Sequence, residues 1–228
     1  TLKEIQEMAQ GQPISSEYSA IVVEGVSKDT REDMSGKLYI PIIGENFNGH
    51  AFVRDAIEKK GAVASFWQKD QPEPPADLNL IFVDDTIEAL QHLASSYRNE
   101  IGMKVVGITG SNGKTTTKDM VTSVLETTFR VHKTAGNYNN HIGLPLTILS
   151  MKEDTEVAVL EMGMSGRGEI ELLSNIAKPD AAVITNIGES HMQDLGSREG
   201  IAEAKLEIAA GLKQDGKLII NGDEPLLT

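Results

Sequence analysis

The chain has 228 residues, 39% of them hydrophobic and 24% charged, with 21 glycines, no cysteine and a formal charge of −13. That length suits one large or two modest domains, and the acidity disfavours a nucleic-acid partner, whose phosphates require clustered Lys and Arg. Disulfides and thiolate metal sites are excluded, no apolar run reaches the roughly 18 residues of a membrane span, and no signal-peptide pattern opens the sequence, so a cytoplasmic enzyme without membrane insertion is the expectation.

The first hundred residues alternate strand and helix signals. Residues 38–43 form a strand candidate that ends in the turn-rich run Gly44-Glu45-Asn46-Phe47-Asn48-Gly49-His50. A helix to about Lys60 follows, with Gly61 as its C-cap, and a second strand is expected over 62–66. Three prolines between Gln71 and Pro75 mark a loop. Residues 80–83 read as a strand, after which Asp85 or Thr86 can cap a helix carrying Ile87, Leu90, Ala94 and Tyr97 on one face. The polar run 98–102 looks like a junction, dividing the chain into domains 1–100 and 101–228.

The second domain is expected to be α/β with a mostly parallel sheet, built on the run Gly107-Ile108-Thr109-Gly110-Ser111-Asn112-Gly113-Lys114-Thr115-Thr116-Thr117-Lys118-Asp119-Met120. A strand, a glycine-rich turn and a helix start in this order form a phosphate cradle, because the turn's N–H groups and the positive end of the helix dipole converge. Residues 109–116 are therefore candidate nucleotide-binding positions. Lys114 would reach the β- and γ-phosphates, and the Thr115 hydroxyl would ligate Mg²⁺. The turn is tighter than the usual phosphate-loop pattern, which wants a glycine where Ile108 stands. Met120, Val121, Val124 and Leu125 are the expected buried face of the following helix.

Residues 156–160 and 181–185 are apolar strand candidates, and 217–220 is a further one. Glu161 directly follows the first of these, a position that suits either a Mg²⁺ ligand or a solvated strand-end acid. His191 follows the second, in Thr185-Asn186-Ile187-Gly188-Glu189-Ser190-His191, as a metal ligand or as plain loop surface. Helical spacing then sets Ile201, Lys205, Ile208 and Leu212 on one face and Glu199, Glu203 and Glu207 on an opposite, solvated stripe. A lysine on an apolar stripe either snorkels its ammonium to water or loses its proton. The neutral amine can add CO₂ and turn a cation into an anionic metal ligand. The amide-rich run 136–145, with Asn139 and Asn140, is a turn-rich connection or a substrate-contacting loop. The sequence stops soon after a strand, which reads as an end inside a domain.

In this order, TGSNGKTT, GNYNNHIGLPLT, EMGMSGRGEI, TNIGESHMQDLGS and AEAKLEI resemble the Mur ligases of bacterial peptidoglycan synthesis. The resemblance covers essentially the whole chain and implies an ATP-dependent ligase that joins D-alanyl-D-alanine to UDP-N-acetylmuramoyl-tripeptide through an acyl phosphate, as a monomer. It implies that residues 1–100 form a small α/β domain for the UDP-sugar end of the substrate. There Ser27, Asp29, Thr30 and Arg31 resemble an Asp-Ser-Arg motif with Thr30 in place of Ser, and Asn46, Asn48, Gly49 and His50 resemble a second contact loop. It implies two Mg²⁺ ions, one on Thr115 and Glu161 and one on His191 and carbamoylated Lys205, with Lys114, His191 and Lys205 as catalytic groups. Family members continue into a C-terminal domain, so the chain as it stands is expected to bind part of its substrates without turnover. Folylpolyglutamate synthase shares the architecture without the UDP-sugar domain. A P-loop NTPase without ligase activity is the reading from a different class.

Overall fold

A computed structural model describes all residues, 1–228. They form two compact units, Thr1–Tyr97 and Arg98–Thr228. In the first, Thr1 and Glu4 make a reciprocal capping box at the start of helix α1 (Leu2–Met8). Strands β1 (Gly25–Ser27) and β2 (Lys37–Tyr39) follow, then a two-residue-per-strand hairpin, β3 (Ile43–Gly44) and β4 (Phe47–Asn48). A 3₁₀ turn (Gly49–Phe52) leads into α2 (Val53–Glu58), and β5 (Ala64–Gln68) and β6 (Leu80–Val83) complete an all-parallel sheet of order β1-β2-β5-β6. Met34, Tyr39, Val53, Ala56, Ala62 and Trp67 form one buried cluster of this unit.

Two elements of this unit escape the periodicity. Helix α1 sets Leu2, Ile5 and Met8 on one face, a stripe only seven residues long that went unread, and β1 is three residues long. β5 also begins later than expected, because Gly61 turns at φ 85° and the Ala62 N–H still bonds back to the Ala56 carbonyl of the helix end.

Helix α3 (Thr86–Ile101) is capped by Asp85, whose Oδ1 accepts from the N–H groups of Ile87 (2.7 Å) and Glu88 (2.8 Å). It runs straight through the expected polar junction. Arg98 is buried there, with Nε donating to the Ile176 carbonyl at 3.0 Å, so this charge serves the packing of the second unit rather than a solvated linker.

The second unit comprises β7 (Lys104–Thr109), α4 (Lys114–Leu125), β8 (Val131–Lys133), α5 (Gly143–Leu149), β9 (Val157–Glu161) and α6 (Glu169–Ala177). Then come β10 (Ala181–Ile184), α7 (Met192–Leu195), α8 (Arg198–Leu206), a 3₁₀ turn (Glu207–Gly211) and β11 (Lys217–Ile219). The sheet is parallel throughout, in the order β11-β10-β7-β9-β8. From the central β7 the chain moves first to the β8 side and later to the β10 side. The carboxyl ends of β7 and β10 therefore flank a topological switch point, where open α/β sheets bind ligands.

Two expected faces are corrected. On α4, Met120 is 66% and Val124 70% exposed, while Lys118 and Thr122 are buried. The glycine-rich turn ending at Gly113 fixes where this helix starts, and that register turns Thr115 and Lys118 toward the carboxylate at the end of β9. The acidic stripe of α8 is also only partly solvated. Glu199 and Glu203 are exposed, but the Glu207 carboxylate accepts from the N–H groups of Gly168 (2.9 Å) and Glu171 (3.3 Å) and so anchors the start of α6.

Candidate active site

The site begins where β7 ends. Gly110 has φ 149° and Gly113 φ 79°, so the chain reverses within Gly110-Ser111-Asn112-Gly113 before α4 starts at Lys114. A Cβ on Gly110 would stand 1.8 Å from Thr185 Oγ1, and only glycine fits that approach. The first N–H groups of α4 have no partner within the helix and point toward the loop, which makes its mouth electropositive. Lys114 curls over the loop, its Nζ donating to the Gly110 carbonyl at 2.9 Å. Ser111 is half-buried, and Asn112, Thr115 and Thr116 are exposed. Thr109 is fully buried, and its hydroxyl has no hydrogen-bond partner in the protein.

Glu161 closes the site from the neighbouring strand. It is buried, and its carboxylate accepts from Thr115 Oγ1 (3.0 Å) on one oxygen and from Asn139 Nδ2 (3.0 Å) on the other. Its N–H donates to Thr134 Oγ1 at 2.9 Å, and the Lys118 ammonium lies 4.0 Å from Oε2. The amide-rich segment thus enters the site through Asn139. Asn140 serves the fold instead, its Oδ1 accepting from Ile142 (3.1 Å) and Gly143 (2.8 Å) at the start of α5.

Lys205 is 3% exposed on the apolar face of α8, alongside Ile201 and Ile208. Loss of hydration and the nearby Lys114 ammonium push its pKa down to about 8. Lys205 and Lys114 thus lie within electrostatic reach of each other. His191 is exposed at φ 63° before α7, with Nδ1 3.8 Å from Asp194 Oδ2. No cluster of three or more His, Asp or Glu side chains gathers into a cage for a metal ion.

Sequence reasoning weighed the loop after β10 for His191 alone and missed its direct engagement of the phosphate loop. Thr185 Oγ1 donates to the Asn112 carbonyl (2.6 Å), and Asn186 accepts from the Ser111 N–H through its carbonyl (3.1 Å) and from the Asn112 N–H through Oδ1 (3.0 Å). The Gly188 N–H donates to Ser111 Oγ at 2.8 Å. The signal available was the position of this segment after a strand that borders the switch point.

In the first unit, Asp29 and Arg31 form a two-point ion pair with Nη2–Oδ2 at 2.5 Å, which holds the Asp29 carboxyl well below the usual carboxylate range. Thr30 is half-buried between them, and Arg31 is exposed. Ser27 is buried and turned inward, donating to Glu32 Oε2 (2.9 Å) and accepting from the Asp29 N–H (3.1 Å). His50 is also internal. Its Nε2 accepts from the Gln68 N–H (3.1 Å), its Nδ1 donates to Asn48 Oδ1 (2.9 Å), and its ring meets Trp67 edge-on at 4.9 Å. A Cβ on Gly49 would fall 2.6 Å from the Ile42 nitrogen, so this turn also needs glycine. Asn46 and Asn48 remain exposed at the hairpin.

Residues 108–228 match the Mur ligase middle domain. The chain is 62% identical over its whole length to a UDP-N-acetylmuramoyl-tripeptide–D-alanyl-D-alanine ligase of Bacillus subtilis (strain 168), covering 50% of that protein. It is 36% identical to the relative of that name in Escherichia coli (strain K12), over 89% of the chain and 44% of the relative. Among solved structures it is similar to MurF from Acinetobacter baumannii, with a TM-score of 0.90 and 31% identity over all of this chain and 50% of that one. MurF ligase from Thermotoga maritima, in complex with ADP, gives a TM-score of 0.82 at 33% identity, over 90% of this chain and 47% of that one. The chain thus spans about half the length of the relatives it matches.

Proposed function

The chain belongs to the Mur ligase family, and from that premise we propose that it forms the UDP-sugar- and ATP-binding part of an ATP-dependent ligase. That ligase adds D-alanyl-D-alanine to UDP-N-acetylmuramoyl-tripeptide in the bacterial cytoplasm. The observation that carries this reading is the phosphate loop with Lys114 above it and Glu161 beside Thr115 at 3.0 Å. The name shared by the two curated relatives supports the choice of substrates, and the ADP in the Thermotoga maritima structure supports ATP.

In this account the peptide's free carboxylate attacks the γ-phosphorus. The new O–P bond forms as the bond to the β-bridging oxygen breaks, and ADP leaves. Lys114 moves from the Gly110 carbonyl to the phosphate oxygens, and the N–H groups of Gly113, Lys114, Thr115 and Thr116 bind the charge that builds there. The amine of D-alanyl-D-alanine then attacks the acyl phosphate carbonyl, phosphate departs with the C–O bond, and the nitrogen loses a proton. Attack by a carboxylate on a phosphate brings like charges together, so this concentration of positive partial charge is what the site must supply.

The donors present fit Mg²⁺. A hydroxyl and a buried carboxylate side by side are the one or two protein ligands that this ion takes when phosphates and water fill its other positions, so a full protein cage is not required. Thr115 and Glu161 would hold one ion, which would neutralise charge on the transferring phosphoryl group. Lys205 as an ammonium cannot ligate, but its lowered pKa raises the share of free amine, whose nitrogen adds CO₂ with loss of a proton to give a carbamate. With His191, that carbamate would hold a second ion. Asp29, Thr30, Arg31, Asn46 and Asn48 would face the UDP end, with Ser27, Gly49 and His50 fastening the loops that carry them.

Lys114→Ala, in the chain extended to the length of its relatives, is expected to lose ADP formation by about a thousandfold. Unchanged ADP formation would overturn the assignment of the phosphate loop. Equilibration with ¹³CO₂ should give a carbamate carbonyl resonance that is absent from Lys205→Ala, and identical spectra from the two proteins would remove the carbamate.

A further inference from the structure

The N–H groups of Ser111 and Asn112 belong to the turn that would cradle phosphate, yet neither is free. Both donate to Asn186, one to its carbonyl and one to its side chain. Two further bonds run between the same segments, from Thr185 Oγ1 to the Asn112 carbonyl and from the Gly188 N–H to Ser111 Oγ. These four bonds fasten both residues at the tip of the phosphate loop to the loop after β10. The Asn186 segment is latched in turn, because Arg198 Nη2 donates to the Ile187 carbonyl (3.0 Å) and to Glu224 Oε2 (2.9 Å), the latter in the segment after β11.

A glycine-rich turn with φ of 149° and 79° at its ends has many conformations open to it when unliganded. Ordering it on ligand binding costs affinity, and a loop already held in shape avoids that cost. The bonds use the outer N–H groups of the turn and leave those of Gly113 and the first turn of α4 for a ligand. We infer that Thr185 and Asn186 are positioning residues that hold the phosphate loop in its nucleotide-binding shape before the nucleotide arrives, with Arg198 latching their segment. This rests on the reading of residues 109–116 as a nucleotide site. No direct contact of Thr185 or Asn186 with the nucleotide is required.

The test compares the native chain with Thr185→Val, Thr185→Ser, Asn186→Ala and Arg198→Met. Two quantities are measured: amide hydrogen exchange at Ser111 and Asn112 without nucleotide, and affinity for ADP. Thr185→Val and Asn186→Ala should speed exchange at these amides and weaken ADP about tenfold, at unchanged melting temperature, as a pre-organisation effect. Thr185→Ser keeps the hydroxyl and should restore both, and Arg198→Met should give a smaller loss of about threefold, as expected of a half-exposed ion pair. Native protection and native ADP affinity in Thr185→Val and Asn186→Ala would overturn the inference while the nucleotide site stands. Failure of the native chain to bind ADP would instead overturn the site and the inference together. Should Asn186→Ala not fold, Thr185→Val against Thr185→Ser decides alone.

Discussion

At the scale of single residues, burial acts on two titratable side chains with opposite consequences for stability at neutral pH. Lys205 is buried among Ile201 and Ile208 with its pKa lowered to about 8, so near neutrality, and without CO₂, the folded state carries mostly an ammonium that would be better hydrated in the unfolded chain. Lys205→Met should therefore stabilise the fold by on the order of 1–2 kcal/mol in denaturant titration at pH 7 while abolishing ligation. A loss of stability would show that the ammonium is well accommodated. His50 works in the other direction. Loss of hydration on burial lowers its pKa below 6.5, and the neutral ring accepts from the Gln68 N–H through Nε2. The unfolded chain then takes up a proton more readily than the folded one. The contribution of His50 is complete above pH 6.5 and is lost as the pH falls below it. His132, also depressed by burial, adds with the same sign. His50→Asn should flatten, without erasing, the fall in melting temperature below that pH, and an unchanged slope would exclude His50 as a contributor.

At the scale of elements, chemistry-bearing loops were more legible in the sequence than helix faces. The strand, glycine turn and helix around residues 109–116, the strand-end position of Glu161 and the apolar setting of Lys205 follow from spacing and residue type, and the structure has each of these local arrangements. The face of α4 was misread because apolar residues were assumed to point inward. A helix whose start is set by a phosphate loop presents whatever residues that register dictates, here Lys118 and Thr122. Met120→Gln and Val124→Gln should accordingly each cost less than about 0.5 kcal/mol, whereas a core position would cost several times that. The bonds from Thr185 and Asn186 were not legible, since they join segments more than seventy residues apart through backbone groups. Gly110→Ala probes that same meeting point. With its Cβ 1.8 Å from Thr185 Oγ1, it should cost on the order of 2–3 kcal/mol or displace the loop, and a native-like melting temperature with native ADP affinity would contradict the close approach.

At the scale of the whole molecule, the chain folds as two parallel-sheet units and spans about half the length of its relatives, and the proposed reading gives the UDP-sugar end to the first unit and phosphate transfer to the second. No helix is long and apolar enough to cross a membrane. What separates a ligase from a nucleotide hydrolase on such a scaffold is the dependence of phosphate transfer on an acceptor carboxylate and of turnover on an amine. The decisive measurement is ADP formation from ATP in the chain extended to the length of its relatives, with UDP-N-acetylmuramoyl-tripeptide and D-alanyl-D-alanine each present or omitted. The account predicts negligible ADP without the tripeptide, at most about one equivalent with the tripeptide alone, and sustained turnover only when the dipeptide is added. Steady ADP formation indifferent to both would contradict it and leave a plain nucleotide hydrolase.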